Sequence, residues 1–128
     1  MTRLVLDSGG VSRLARRSQD AAALIMTFAR QGIWPPVVPT VVIVECLNGR
    51  PKHDAVTNRF LKTCDITEDL PEHLARRAGA LRASAKRGSA VDALVVAMAE
   101  PGGSVLTGGT VDLRALAAHA DDVTVVRA

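Results

Sequence analysis

Residues 1–14, MTRLVLDSGGVSRL, decide how the rest of the chain is read. Arg3 to Leu6 is a short apolar run that ends in Asp7, with Ser8, Gly9 and Gly10 directly behind it. A continuous apolar run bounded by glycine punctuation suits a strand buried on both faces, as in a parallel sheet. A carboxylate at the end of such a strand either caps the next turn or stands at a sheet edge where it can do chemistry. Both readings stay open at this point.

Working outward, strand-like and helix-like segments alternate, which predicts an α/β domain with a mainly parallel sheet. After the first strand, Val11 to Ala15 reads as a helical turn. Ser18 then caps a helix over residues 20–30 that stops at Gly32. A short strand at Val37 and Val38 follows Pro35 and Pro36. The segment PTVVIVECLNG (39–49) is β-branched and favours strand on propensity, but Thr40 as a cap and Asn48-Gly49 as a stop favour a helix, and the helix is adopted. Further helices are predicted over 53–61, 71–86 and 89–98, the last with Ser89 as its cap. Strands are predicted over 64–66, 104–106 and 123–126, and a helix opens near Asp112. Leu24, Ile25, Met26 and Phe28 read as core.

At 128 residues the chain is expected to be one domain spanning 1–128, large enough to bury about two thirds of its unfolded surface. A hydrophobic fraction of 48% with 23% charged residues is that of a water-soluble fold. No apolar run approaches the roughly 20 residues of a membrane span, and MTRLVL is too short for a signal peptide, so a cytoplasmic protein without membrane association is expected. Cys46 and Cys64 lack metal or redox spacing and read as reduced core residues. The net charge of +3 is compatible with a polyanionic partner. With Trp34, Phe28 and Phe60 as its few aromatics, the chain is a poor stacking platform, so contacts to nucleic acid would run through Arg and Lys to phosphates.

Four acids recur at comparable places. Asp7 ends the first strand, Glu45 interrupts the apolar VVIVECL, Asp92 lies in the first turn of a helix, and Asp112 opens the helix after the strand ending at Thr107. In a parallel sheet the carboxyl ends of the strands converge on one crevice, so acids far apart in sequence can meet there. Clustered carboxylates repel unless a cation neutralises them. Oxygen-only donors suit Mg²⁺ or Mn²⁺, which can activate water against a phosphodiester. Each acid also has a plainer reading. Asp92 in SAVD (89–92) fits a capping box, Asp112 a helix-dipole partner and Asp7 an Asx turn. Glu45 is harder to explain away, because burying it unpaired would cost several kcal/mol, so a metal-linked water or an Arg is expected to compensate it.

In this order and spacing, LVLDSGGVSRL, VVPTVVIVECLNG, SAVDALVVAMAE and SVLTGGTVDLRALA resemble the segments of a PIN-domain ribonuclease, specifically the VapC toxins of bacterial toxin–antitoxin pairs. The resemblance implies a three-layer α/β/α sandwich with a parallel sheet of about five strands, a pocket holding Mg²⁺ or Mn²⁺, and RNA as substrate. Carried over by position, Asp7 and Asp92 are the metal carboxylates, Glu45 positions the ion's water or acts as base, Asp112 is a secondary acid, and Thr107 and Ser8 lie at the pocket rim. A homodimer and a VapB-like antitoxin are the implied partners. One position departs from the pattern: Gly109 stands where the family usually has Asp or Asn. That departure keeps a second reading open, a catalytically weak PIN-like binding module that retains the antitoxin groove. The glycines of DSGG are expected to loosen the turn after Asp7.

Other chemistries lack their signatures. His53, His73 and His119 have no metal-ligand spacing and read as surface residues. PGGSVLTGG (101–109) lacks the ending of a phosphate-binding loop, and Ser8 is not in a nucleophile elbow. Arg76, Arg77, Arg82, Lys86 and Arg87 read as a solvated helix face with a secondary claim on RNA phosphates.

Overall fold

Every apolar run read as a strand enters one sheet in the computed structural model, which describes residues 2–128. The strands are β1 (Leu4–Leu6), β2 (Val37–Pro39), β3 (Asp65–Thr67), β4 (Ser104–Thr107) and β5 (Thr124–Arg127). They lie in the order β3-β2-β1-β4-β5 with all neighbours parallel. Val5 pairs with Val37 on one side and Val105 on the other, so β1 is the central strand, and all three of its side chains are buried. Double-sided burial is why LVL shows no alternation of apolar and polar residues.

The helices are α1 (Ser8–Ala15), α2 (Gln19–Arg30), α3 (Thr40–Cys46), α4 (Pro51–Leu61), α5 (Glu72–Ala85), α6 (Ala90–Ala99) and α7 (Thr110–Ala117). Helices α2, α3 and α4 pack on α1, whereas α5, α6 and α7 pack on one another, and the sheet lies between the two groups. The architecture is the three-layer α/β/α sandwich expected. Helix α6 is buried without interruption from Ala93 to Ala99, since it lies under α5 and α7 and against β1 and β4. A helix segment enclosed on all sides must be apolar all round, as ALVVAMA (93–99) is.

Caps behave as the sequence suggested at Ser18 and Ser89, whose hydroxyls accept the N–H groups of Ala21 and Asp92 at 3.0 Å each. Three local expectations change. Helix α1 begins at Ser8, directly after the strand, because Asp7 caps it. Thr40 is the first residue of α3 with Pro39 at the cap position and no side-chain cap, so α3 is positioned by burying Val42 and Cys46, one turn apart, rather than by capping. Met26 is exposed, while Phe28 is in the core and Leu24 and Ile25 are half-buried; only one stripe of α2 faces inward.

Candidate functional site

Strand order reverses at β1: the chain moves from β1 to β2 on one side and reaches β4 on the other. That makes the carboxyl end of β1 the switch point where a parallel sheet opens a crevice. Asp7 stands there, 8% exposed. Its Oδ1 accepts the N–H of Gly10 at 2.8 Å, and its Oδ2 accepts the hydroxyl of Thr107 from the end of β4. One oxygen therefore caps α1, as the first reading had it, and the other reaches across the sheet to β4.

The glycines after Asp7 tighten this corner; they do not loosen it. A Cβ on Gly9 would stand 2.6 Å from the backbone nitrogen of Gly108, and one on Gly10 would collide with the carbonyl of Leu106. Their lack of side chains lets α1 start against the β4–α7 turn, holding Asp7 and Thr107 together. Thr107 itself is fully buried. It forms the floor of the site, not its rim, and its hydroxyl also accepts the N–H of Gly109 at 3.1 Å.

A cleft of about 600 Å³ opens over this floor, lined among others by Asp7, Ser8, Asp92, Thr107, Asp112 and Arg87. Asp92 enters from the first turn of α6. Its Oδ2 accepts the N–H of Ser89 at 3.1 Å in a complete capping box, which leaves Oδ1 without a protein donor among the described residues. Asp112 enters from α7 and is bound by Arg87, whose Nε donates to its Oδ1 at 2.8 Å. Arg87 was read as part of a solvated face. Lys86, in the left-handed conformation that ends α5, turns the next residue back over the cleft, a consequence of a positive φ that a lysine does not announce.

Glu45 departs from expectation. It is exposed on α3, with no arginine bound to it, so the cost of burying it does not arise. The apolar run around it misled because α3 shows one face to solvent: Val44 is also 79% exposed. Glu45 nevertheless feels the other acids. Partial desolvation, then the charges of Asp92 and Asp7, hold its carboxyl above the ordinary range. Asp7 is also raised, mainly by burial and further by Asp92, against the opposing effect of the bonds from Thr107 and Gly10. Three acids distant in sequence thus act on one another at one end of the sheet.

Whether this donor set fits Mg²⁺ or Mn²⁺ follows from its chemistry. The donors are oxygens, and Asp7 and Asp92 line one cleft with Asp92 Oδ1 uncommitted. Among the described residues no three His, Cys, Asp or Glu side chains gather around one point. The set therefore fits an ion held by two carboxylates that keeps several waters, not one enclosed by protein ligands. Cys46 and Cys64 play no part: burial pushes both thiols up to about 11, which leaves them protonated and unreactive.

The chain is thus a three-layer α/β/α fold with an acidic crevice at the carboxyl end of its central strand. No family model and no curated protein matches the sequence. Solved structures do match it in shape. VapBC2 from Rickettsia felis, bound to a DNA fragment from its promoter, superposes with a TM-score of 0.71 at 12% identity, with 99% of both chains covered. PAE2754 from Pyrobaculum aerophilum superposes with a TM-score of 0.64 at 16% identity, covering 98% of this chain and 90% of that one. No helix among the described residues is long and apolar enough to cross a membrane.

Proposed function

We propose that the chain is an Mg²⁺- or Mn²⁺-dependent endoribonuclease, the toxin of a VapBC-type pair. The observation that carries this reading is Asp7: a carboxylate buried at the switch point, raised in pKa by its surroundings and facing Asp92 across an open cleft. Burial makes its charged form costly at neutral pH, and a perturbed acid in a crevice is a candidate functional group. A divalent ion bound there would supply activated water and charge neutralisation at a phosphodiester. In this reading Asp7 and Asp92 hold the ion, Thr107 orients Asp7, and Glu45 receives a proton from the attacking water. Arg87, held by Asp112 in the cleft lining, would meet a substrate phosphate in this reading.

A VapB-like antitoxin is the proposed partner. Besides the neighbour solved as VapBC2, this rests on an apolar groove of about 410 Å³ among α1, α2 and α4, floored by Leu14, Ile25, Trp34 and Phe60 and flanked by Arg17 and Arg59. It suits an apolar segment carrying acidic residues. The exposed Met26 on α2 suits the homodimer, as a side chain a second copy would cover.

The binding-module reading has its own support: Gly109 carries no donor, and the carboxylate of Asp112 is already bound to Arg87. Cleavage of single-stranded RNA with Mg²⁺ or Mn²⁺, by the wild-type chain and by Asp7→Asn, separates the two. Ion-dependent cleavage lost in the variant supports the nuclease. An ion-independent trace, or none with either protein, supports the module.

A further inference from the structure

The acidic cleft does not end at Asp7. Ser8 and Gly9, which line it, also line a second bay of about 310 Å³ between α1, α3 and α4. Its other walls include Ser12, Glu45, Asn48, His53 and Thr57. The bay sets polar side chains beside Val11 and Cys46, adjoins the proposed site of cleavage and has a preset donor and acceptor arrangement.

That presetting comes from Asp54. Its Oδ1 and Oδ2 accept the backbone N–H groups of Asn48 and Gly49 at 3.1 and 3.0 Å, pinning the loop that ends α3. Hydrogen bonds, first that from His53, hold its carboxyl below the ordinary range, so it remains an acceptor. The Nδ1 of His53 stands 3.0 Å from Asp54 Oδ1 and must donate to it. In the neutral ring Nε2 is then left as an acceptor. Asn48 Oδ1 already accepts the N–H of Arg50 at 3.0 Å, which leaves its amide NH₂ to donate. One fixed acceptor and one fixed donor on the wall of one bay can read the edge of a nucleobase, as paired side-chain contacts do elsewhere. Arg50 and Lys52, exposed and flanking this segment in the chain, add positive charge that offsets Glu45 toward a polyanion.

We infer that this bay is a specificity subsite for the base of the nucleotide next to the scissile phosphodiester of single-stranded RNA, read by Asn48 and His53 and held in shape by Asp54. It rests on the ribonuclease reading but is testable without turnover. Short single-stranded RNAs of uniform A, C or U sequence are titrated by fluorescence anisotropy into Asp7→Asn protein, alone and combined with Asn48→Ala or His53→Gln. Affinities are expected to differ about tenfold between the best and worst sequence, as one good donor–acceptor pair provides, and to converge within about threefold in both double variants. In wild-type background, Asn48→Ala should spread cleavage over more sequences. Equal affinities for the three RNAs, or a preference and cleavage pattern that survive both substitutions, would overturn the subsite. Sequence-selective binding that depends on Asn48 and His53, found in a chain that cleaves nothing, would instead sink the nuclease reading and overturn the subsite as defined, leaving the bay a base-reading site of a binding module.

Discussion

Helix α6 carries an acid at each end, and the surroundings of the two ends differ. At its carboxyl end Glu100 receives two bonds from Arg77, Nε to Oε1 at 2.8 Å and Nη2 to Oε2 at 2.7 Å, and a third from the N–H of Asp121 at 2.7 Å. These hold its carboxyl below the ordinary range. At the amino end, Asp92 faces Asp7, whose carboxyl burial holds above it. Glu100 is paired with a cation; Asp7 has donors but, among the described residues, no cation, so its buried charge costs stability until something else neutralises it. The basic residues sort the same way, for Arg77, read with its neighbours as a solvated face, closes the structural end, while Arg87 opens over the cleft.

The largest effect that would break this contrast is at Asp7. Asp7→Asn preserves the shape, because the amide oxygen can accept from Gly10 while the amide nitrogen donates to a rotated Thr107 hydroxyl. Partners one shell removed from a metal are worth 10–100-fold, so loss of a direct ligand should lower RNA cleavage by about 10²-fold or more. The same variant should melt higher at neutral pH. The sign follows from linkage: with its pKa raised in the fold, Asp7 favours the native state fully below its ordinary value of 3.8, and that advantage fades as pH rises through the folded value. Adding Mg²⁺ or Mn²⁺ at neutral pH should raise the melting temperature of the wild type and not of the variant.

Asp92→Ala should also reduce cleavage by orders of magnitude, but with a stability loss of about 1 kcal/mol, since the side chain completes a capping box as well. Unchanged cleavage together with that loss would leave Asp92 a cap alone. At the other end of α6 the pH dependence reverses. Glu100 stabilises the fold above its ordinary value of 4.5 and loses that contribution as pH falls. Arg77→Met should therefore destabilise by about 1 kcal/mol at neutral pH, flatten the acid limb of a denaturation series and leave cleavage unaltered. The smallest effect is expected at Gly109, which caps α7 with ordinary backbone angles and open space where a side chain would go. Gly109→Asp should stabilise α7 by about 0.5 kcal/mol as an N-cap and raise activity severalfold if a further carboxylate strengthens ion binding. Stabilisation without any gain in activity would show that two carboxylates are enough.

Most of the fold was legible because its signals are local. The apolar run before Asp7, the caps at Ser18 and Ser89 and the apolar run from Ala93 to Ala99 each reflect burial or hydrogen bonding within a few residues. Glu45 shows the limit of such reading: a β-branched run around an acid looks buried, whereas α3 turns that acid and Val44 to solvent. Thr107 was placed at the rim for the same reason, because depth is a property of what covers a residue.

By itself, the sequence determined the alternation of strands and helices, a buried first strand, and which acids stand at element ends. Only the tertiary structure decided that Thr107 lies under Asp7, that Arg87 takes the carboxylate of Asp112, and that Asn48 and His53 wall a bay beside the acidic cleft. Secondary structure answers to neighbours along the chain. Electrostatics answers to neighbours in space, and between residues 7 and 107 nothing but the packing of β1 against β4 makes that distance short.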